Sequence, residues 1–333
     1  MQPFSFSQAR SEDEAIAQLA EHNGRAIAGG TTLVDLMKLE VEVPHHLVDI
    51  NALPLNKIEA VPGGGLRIGA MVRNSDLAHH PIVVKNFPVL SQALLSGASA
   101  QLRNMATTGG NLMQRTRCYY FRDPSYAACN KRKSGSGCAA LEGYNRIHAI
   151  LGGSEHCVAT HPSDMAVALV ALDAVVRIRG PRGEREVRIA DFHKAPGSAP
   201  HVETAAEPGE LITEVMIPGS PFAARSAYAK LRDRASYEFA LASAAVALDL
   251  ADGTIRDARV ALGGVATKPW RSPEAEQELA GASAGEHAFR AAAEAAIKSA
   301  KPLRYNGFKV GLAKMALIRA LNQATSMLVE RDR

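Results

Sequence analysis

Stretches of helical and strand periodicity alternate along the chain, with one long interval between them that has neither. Ser11-Glu12-Asp13-Glu14 reads as a capping box, since Glu14 follows Ser11 by three residues. It predicts a helix running to about Glu21 and stopping at Gly24. A short strand over 25–28 enters the turn Ala28-Gly29-Gly30-Thr31-Thr32, and a second helix places Leu33, Leu36 and Met37 on one face. Strands are expected over 46–51 and 66–72, with Pro62-Gly63-Gly64-Gly65 turning between them. A helix is expected over 89–96 and a second glycine turn over 105–111. From 115 to 161 no period survives; such a stretch cannot bury a core by itself and points to function. Regularity returns with a helix over 164–172 and a hairpin of strands 174–179 and 184–189. A strand over 210–217 ends at Pro218. Beyond the joint at 218–221, antiparallel strands 226–231, 244–250 and 255–262 precede helices over 275–300 and 308–328.

Composition narrows the class. With 333 residues, 47% hydrophobic and 22% charged, the chain is globular and long enough for two or three domains. Its formal net charge of +4 is too small to argue for nucleic acid, and 5% aromatics leaves few stacking platforms for single strands. No apolar run approaches the ~20 residues of a membrane helix. The opening MQPFSFSQAR carries no basic segment followed by an apolar one, so no export signal is expected there.

Nucleotide and hydrolase fingerprints fail. There is no P-loop, no H-E-x-x-H and no G-x-S-x-G, and the G-x-G-x-x-A at Gly135, Gly137 and Ala140 follows Lys-Arg-Lys-Ser instead of a strand. Two glycine turns remain, Ala28–Thr32 and Thr107-Thr108-Gly109-Gly110-Asn111. Paired glycines let backbone N–H groups converge on an anion, and threonine hydroxyls add donors. A pyrophosphate gripped from two sides would use such a pair; so would two ordinary tight turns. Cys118, Cys129, Cys138 and Cys157, the only four cysteines, all fall in the irregular interval. Their spacing lacks the C-x-x-C of structural zinc, although His148 and His156 are near enough to complete mixed sites. A [4Fe–4S] cluster, zinc, and disulfides or free thiols all stay open.

With these residues assembled, the chain resembles the FAD-binding subunits of the xanthine dehydrogenase / molybdenum hydroxylase family, especially those of periplasmic aldehyde oxidoreductases. The matching blocks are AIAGGTTLVDLMK (26–38), RNMATTGGNLMQRTRC (103–118), CNKRKSGSGCAALEGYNRIHA (129–149), CVATHPSDMAVAL (157–169) and YAKLRDRASYEFALAS (228–243). The resemblance implies that Arg25, Ala26, Ile27, Ala28, Gly29, Gly30, Thr31, Thr32 and Leu33 wrap the FAD pyrophosphate. Thr107, Gly110 and Asn111 would form the second grip, Asp164 would bind the FAD, and Ile212 would lie near an apolar flavin contact. Lys230 would stand near the flavin ring, where positive charge stabilises the reduced form. It further implies that Cys118, Cys129, Cys138 and Cys157 hold a [4Fe–4S] cluster.

The fold expected from the resemblance is α+β. A PCMH/VAO-type FAD-binding region has subdomains at about 1–55 and 56–218, the second carrying the cysteine insertion at about 115–161. A CO-dehydrogenase-flavoprotein-like domain, a three-stranded antiparallel sheet with helices, follows at about 222–330. The implied role is electron transfer within a molybdenum-dependent aldehyde oxidoreductase. A large molybdopterin subunit would oxidise the aldehyde, a small [2Fe–2S] subunit would relay electrons, and FAD would pass them to an external acceptor. The implied location is the periplasm by co-export with a signal-bearing partner, or else the cytoplasm. Alternatives are a hydroxybenzoyl-CoA-reductase-like or xanthine-dehydrogenase-like complex, or a self-sufficient VAO-type oxidase.

Overall fold

A computed structural model describes residues 1–21 and 23–327. Three sheets follow one another along the chain. The first is parallel, with order β1-β3-β2, from β1 (Ser5–Gln8), β2 (Arg25–Ile27) and β3 (His46–Asp49). The second is antiparallel, with order β4-β5-β8-β6-β7. It comprises β4 (Ile58–Val61), β5 (Gly65–Gly69), β6 (Val175–Gly180), β7 (Gly183–Arg188) and β8 (Leu211–Ile217). The third is antiparallel too, formed by β9 (Ser226–Leu231), β10 (Ala242–Ala251), β11 (Thr254–Gly263) and β12 (Trp270–Arg271). Its order is β12-β11-β10-β9, so the expected three strands gain a two-residue edge strand.

Capping sets the first helix. In Glu12–Glu21 the Ser11 hydroxyl accepts from Glu14 N at 3.2 Å and the Glu14 carboxylate accepts from Arg10 N at 2.8 Å. The helix expected over 275–300 is two helices, Pro273–Leu279 and Glu286–Ala296, because Gly281 takes φ +79° between them and its amide donates to Ile255 O. The last helix is Phe308–Ser326; its expected end at Leu328, like the domain limit at 330, lies outside the described residues. The expected glycine turn at 105–111 is instead a break between two short helices, Ala100–Met105 and Thr108–Leu112, which Thr107 caps by accepting from Gly110 N. β1 and β4 were not anticipated, since both are four residues long and largely exposed, with little apolar face to mark them.

The helix Asp164–Ala171 joins the larger domains. All eight of its residues are buried, and it packs on both β10 and β11 of the third sheet while sharing a core with Ile68, Val176 and Val215 of the second. A helix apolar on every side is stable only between two such layers. Its first residue, Asp164, therefore stands at the junction. A separate alanine-rich core packs the third sheet against Pro273–Leu279, Glu286–Ala296 and Phe308–Ser326. Between 115 and 161 the only regular element is the short helix Tyr119–Arg122.

Candidate functional site

The two glycine turns lie far apart in sequence and touch in space. A Cβ on Gly29 would stand 1.9 Å from Met105 O and 3.2 Å from Ala106 N, so only glycine lets the first turn close onto the second. Arg73 fastens the contact, donating to Met105 O and, at 3.2 Å, to Asn51 Oδ1; Asn51 Nδ2 donates in turn to Ala28 O at 3.1 Å. Gly30 has φ +67°. Among the described residues, the amides of Gly29, Gly30, Thr31, Thr32 and Leu33 donate to no protein acceptor. Such a row of free, half-buried N–H groups is a cradle for an anion. Arg25, Ala26 and Ile27 form β2, which carries the chain to the turn.

The second turn is held from below. Gly109 N donates to Ala70 O at 2.8 Å, and a Cβ there would lie 3.1 Å from Ala70 Cβ. Asn111 Oδ1 accepts from Gln114 Nε2 at 2.8 Å and from Ser163 Oγ at 2.6 Å, which ties this turn to the residue capping Asp164–Ala171. Ile212 lies on β8 opposite Ile178 and is buried in the large core, next to Thr213, whose carbonyl accepts from Ala70 N.

Asp164 is the centre of a buried cluster. Its Oδ2 accepts from Lys230 Nζ at 2.7 Å and its Oδ1 from Tyr228 OH at 2.6 Å. The side chains of Lys230 and Asp164 are only 4% and 8% exposed, so each is the other's main charge compensation. Lys230 also donates to Ser96 O at 3.1 Å. Burial, then the adjacent Asp164 carboxylate, push the Tyr228 phenol well above its ordinary pKa, so it acts as a fixed donor. Sequence reasoning singled out Asp164 and Lys230 but missed Tyr228, two residues before Lys230 on β9. A cavity of about 200 Å³ opens beside Asp164, walled by Arg117, Tyr119 and Arg146 from the cysteine interval and by Glu238 and Phe239 from the third domain. His161 also lines it, and its Nε2 is buried with no hydrogen-bond partner. The unpartnered amides and this nitrogen fit a polar, phosphate-bearing ligand such as FAD.

The four cysteines share one apolar cluster with Leu36, Tyr120, Phe121 and Val158, and none forms a disulfide. Cys129 and Cys138 face each other across an antiparallel bridge. The Cys138 and Cys157 thiols interact, which holds the Cys138 thiol below its ordinary pKa and drives Cys157 up. Burial pushes Cys118 up to about 12. Backbone N–H groups point at sulfur: those of Tyr120 and Phe121 toward Cys118, and that of Ala159 to Cys157 Sγ at 3.4 Å. His148 Nε2 lies 3.1 Å from Cys118 Sγ. Among the described residues, no three His, Cys, Asp or Glu side chains are grouped as ligands of a single metal ion. No helix among them is long and apolar enough to cross a membrane.

Comparison with known proteins decides the family. Residues 2–220 match the FAD binding domain in molybdopterin dehydrogenase, and residues 226–324 match the CO dehydrogenase flavoprotein C-terminal domain. The chain belongs to the FAD-binding subunits of the molybdenum hydroxylases. It is 52% identical to the aldehyde oxidoreductase FAD-binding subunit PaoB of Escherichia coli K12, over 97% of this chain and 99% of that one. The glyceraldehyde dehydrogenase medium chain of Sulfolobus acidocaldarius is 30% identical over 84% and 81% of the two chains. The solved carbon monoxide dehydrogenase of Hydrogenophaga pseudoflava superposes with a TM-score of 0.76 at 29% identity, covering 98% of both chains. The chain is thus an oxidoreductase flavin subunit.

Proposed function

We propose that this chain is the electron-transferring FAD subunit of a molybdenum-dependent aldehyde oxidoreductase. It would work with a small [2Fe–2S] subunit and a large molybdopterin subunit, with Cys118, Cys129, Cys138 and Cys157 holding a [4Fe–4S] cluster. The observation that carries the aldehyde reading is the 52% identity to an aldehyde oxidoreductase FAD-binding subunit across nearly the whole of both chains. The cluster reading is supported by four thiols in one apolar cluster, three buried and Cys138 partly so, free of disulfides, with N–H groups directed at sulfur. Anionic thiolates bound to iron need that kind of hydrogen bonding and that shelter from solvent.

FAD, when bound, supplies a carrier that exchanges electrons singly or in pairs. The protein's part is to bind and to orient. The amides of residues 29–33 neutralise phosphate charge without a side chain, and Thr107 keeps the second turn in register by accepting from Gly110 N. Lys230 is immobilised by Asp164 and Ser96 O, which fixes where its ammonium stands. Tyr228 holds Asp164 in place by donating to its second oxygen. We further infer that the assembled complex is periplasmic, the chain crossing the membrane already folded with a signal-bearing partner; this rests on the resemblance alone.

The test is to purify the chain together with its genomic neighbours and measure flavin, iron, acid-labile sulfide and molybdenum. Flavin, four cluster irons beyond those of the small subunit, and aldehyde-dependent dye reduction support the proposal. One zinc and no additional sulfide refute the cluster. Aldehyde-independent oxidase activity of the chain alone refutes the subunit role. Recovery in the cytoplasmic fraction of a fractionated host refutes the export reading.

A further inference from the structure

Lys309 is the most anomalous residue of the C-terminal domain. It is 0% exposed, it sits in the first turn of Phe308–Ser326, and among the described residues it has no ion pair. Its ammonium donates instead to three carbonyls: Ile147 O at 2.9 Å, His148 O at 3.0 Å and Gly264 O at 2.6 Å. Burial, then Arg146, pull its pKa down to about 7. A buried cation without a counter-charge is costly, and proteins as a rule pair such a group with an anion. Among the described residues, no salt bridge pairs Lys309 with an acidic group, and its bonds lead through one residue to the cysteine pocket. The residue whose carbonyl Lys309 holds is His148, and the ring of His148 reaches Cys118 Sγ at 3.1 Å.

The neighbouring bonds repeat the same stitching. Asn306 Nδ2 donates to His148 O and Ala149 O, Tyr305 N donates to Asn145 Oδ1, and Lys301 N donates to Ile150 O at 2.7 Å. The C-terminal domain thereby grips 145–150 along its length, and the His148 ring is fixed. When Cys118 is a metal-bound thiolate it can only accept, so His148 Nε2 must carry the proton and donate to sulfur.

We propose that Lys309 and His148 form an electrostatic seat built by the C-terminal domain for the cysteine-bound cluster. Lys309 is its internal countercation and His148 the hydrogen-bond donor to the Cys118 sulfur, and together they raise the cluster's reduction potential. Both are positioning residues. The inference rests on the [4Fe–4S] reading above. On reduction, dithionite supplies one electron, no bond is made or broken, and the pocket becomes one unit more negative. A nearby cation and an N–H donor both favour that more negative state.

The test uses the intact complex in four forms: wild type, Lys309→Met, His148→Phe, and His148→Gln, which keeps an N–H donor. Iron, sulfide and FAD content are measured first, then the cluster is titrated with dithionite and followed by EPR. Lys309→Met and His148→Phe are each expected to retain FAD and to shift the one-electron equilibrium at least tenfold toward the oxidised form, 59 mV lower. His148→Gln is expected to recover most of the shift. Potentials within 10 mV of wild type in iron-loaded Lys309→Met and His148→Phe overturn the proposal. Should Lys309→Met not fold, the His148 pair decides by the same criterion. A wild-type complex without the extra iron and sulfide overturns the cluster reading and this inference with it. Iron present with unmoved potentials overturns this inference alone.

Discussion

Replacing Gly29 by alanine tests the idea that two backbone turns form one grip. The added methyl would stand 1.9 Å from Met105 O and 2.6 Å from Met105 C, both backbone atoms that cannot rotate away. Restoring van der Waals contact requires the turns to part by about 1.5 Å. Arg73 and Asn51 resist that movement, because they bond to Met105 O and Ala28 O respectively and to each other, tying the two turns together. Overpacking of this kind costs about 1–3 kcal/mol, and at 1.4 kcal/mol per decade that is roughly a 5- to 140-fold loss of FAD affinity. The assay is reconstitution of the deflavinated complex, following quenching of free FAD fluorescence, with thermal unfolding of the flavin-free form measured alongside. Weakened FAD binding with a melting temperature within a few degrees of wild type supports the shared grip. Unchanged affinity in Gly29→Ala would show that the contact between the turns does not shape the site, and the cradle argument would fail.

Asp164→Asn leaves Lys230 buried without a carboxylate, at a cost of about 3–5 kcal/mol; urea unfolding should show it, and the Lys230→Met double variant should recover part of the loss. If the single and double variants are equally stable, the pair carries no structural weight. Buried His193 is held neutral, its pKa pushed down by burial to about 4 from 6.5, and His161 is shifted the same way. Between those values the unfolded chain binds the extra proton, so stability is full above about pH 6.5 and falls by about 1.4 kcal/mol per unit for His193 toward pH 4. A His193→Gln variant should flatten the urea midpoint measured against pH, and an unchanged slope would count against the assignment. Cys129→Ser should strip cluster iron and loosen 115–161 to proteolysis while FAD stays bound, which iron and flavin content would report. Equal loss of both would mean that the pocket and the flavin site are one unit.

Much of this protein is legible without its structure, because the signals are local. The capping box at Ser11, the strands from Ser226 to Gly263 and the turn vocabulary at Gly29 and Gly110 each depend on residues a few positions apart. Periodicity missed β1, β4 and β12, whose two to four residues offer too little apolar face to register, and it merged two helices across Gly281. It also showed that 115–161 could not hold itself together, without showing what does.

The chain order alone determined which residue types were available: glycines for close backbone approach, four thiols in one interval, an aspartate opening an apolar helix. Only the folded arrangement decided which of them meet. Gly29 lies against Met105, Asp164 pairs with Lys230 across two domains, and Lys309 reaches the carbonyls beneath His148. These contacts join residues tens to more than a hundred positions apart, and charge or shape has consequence there because the core between them excludes water. Burial is a property of the packed layers, and no window of sequence contains it.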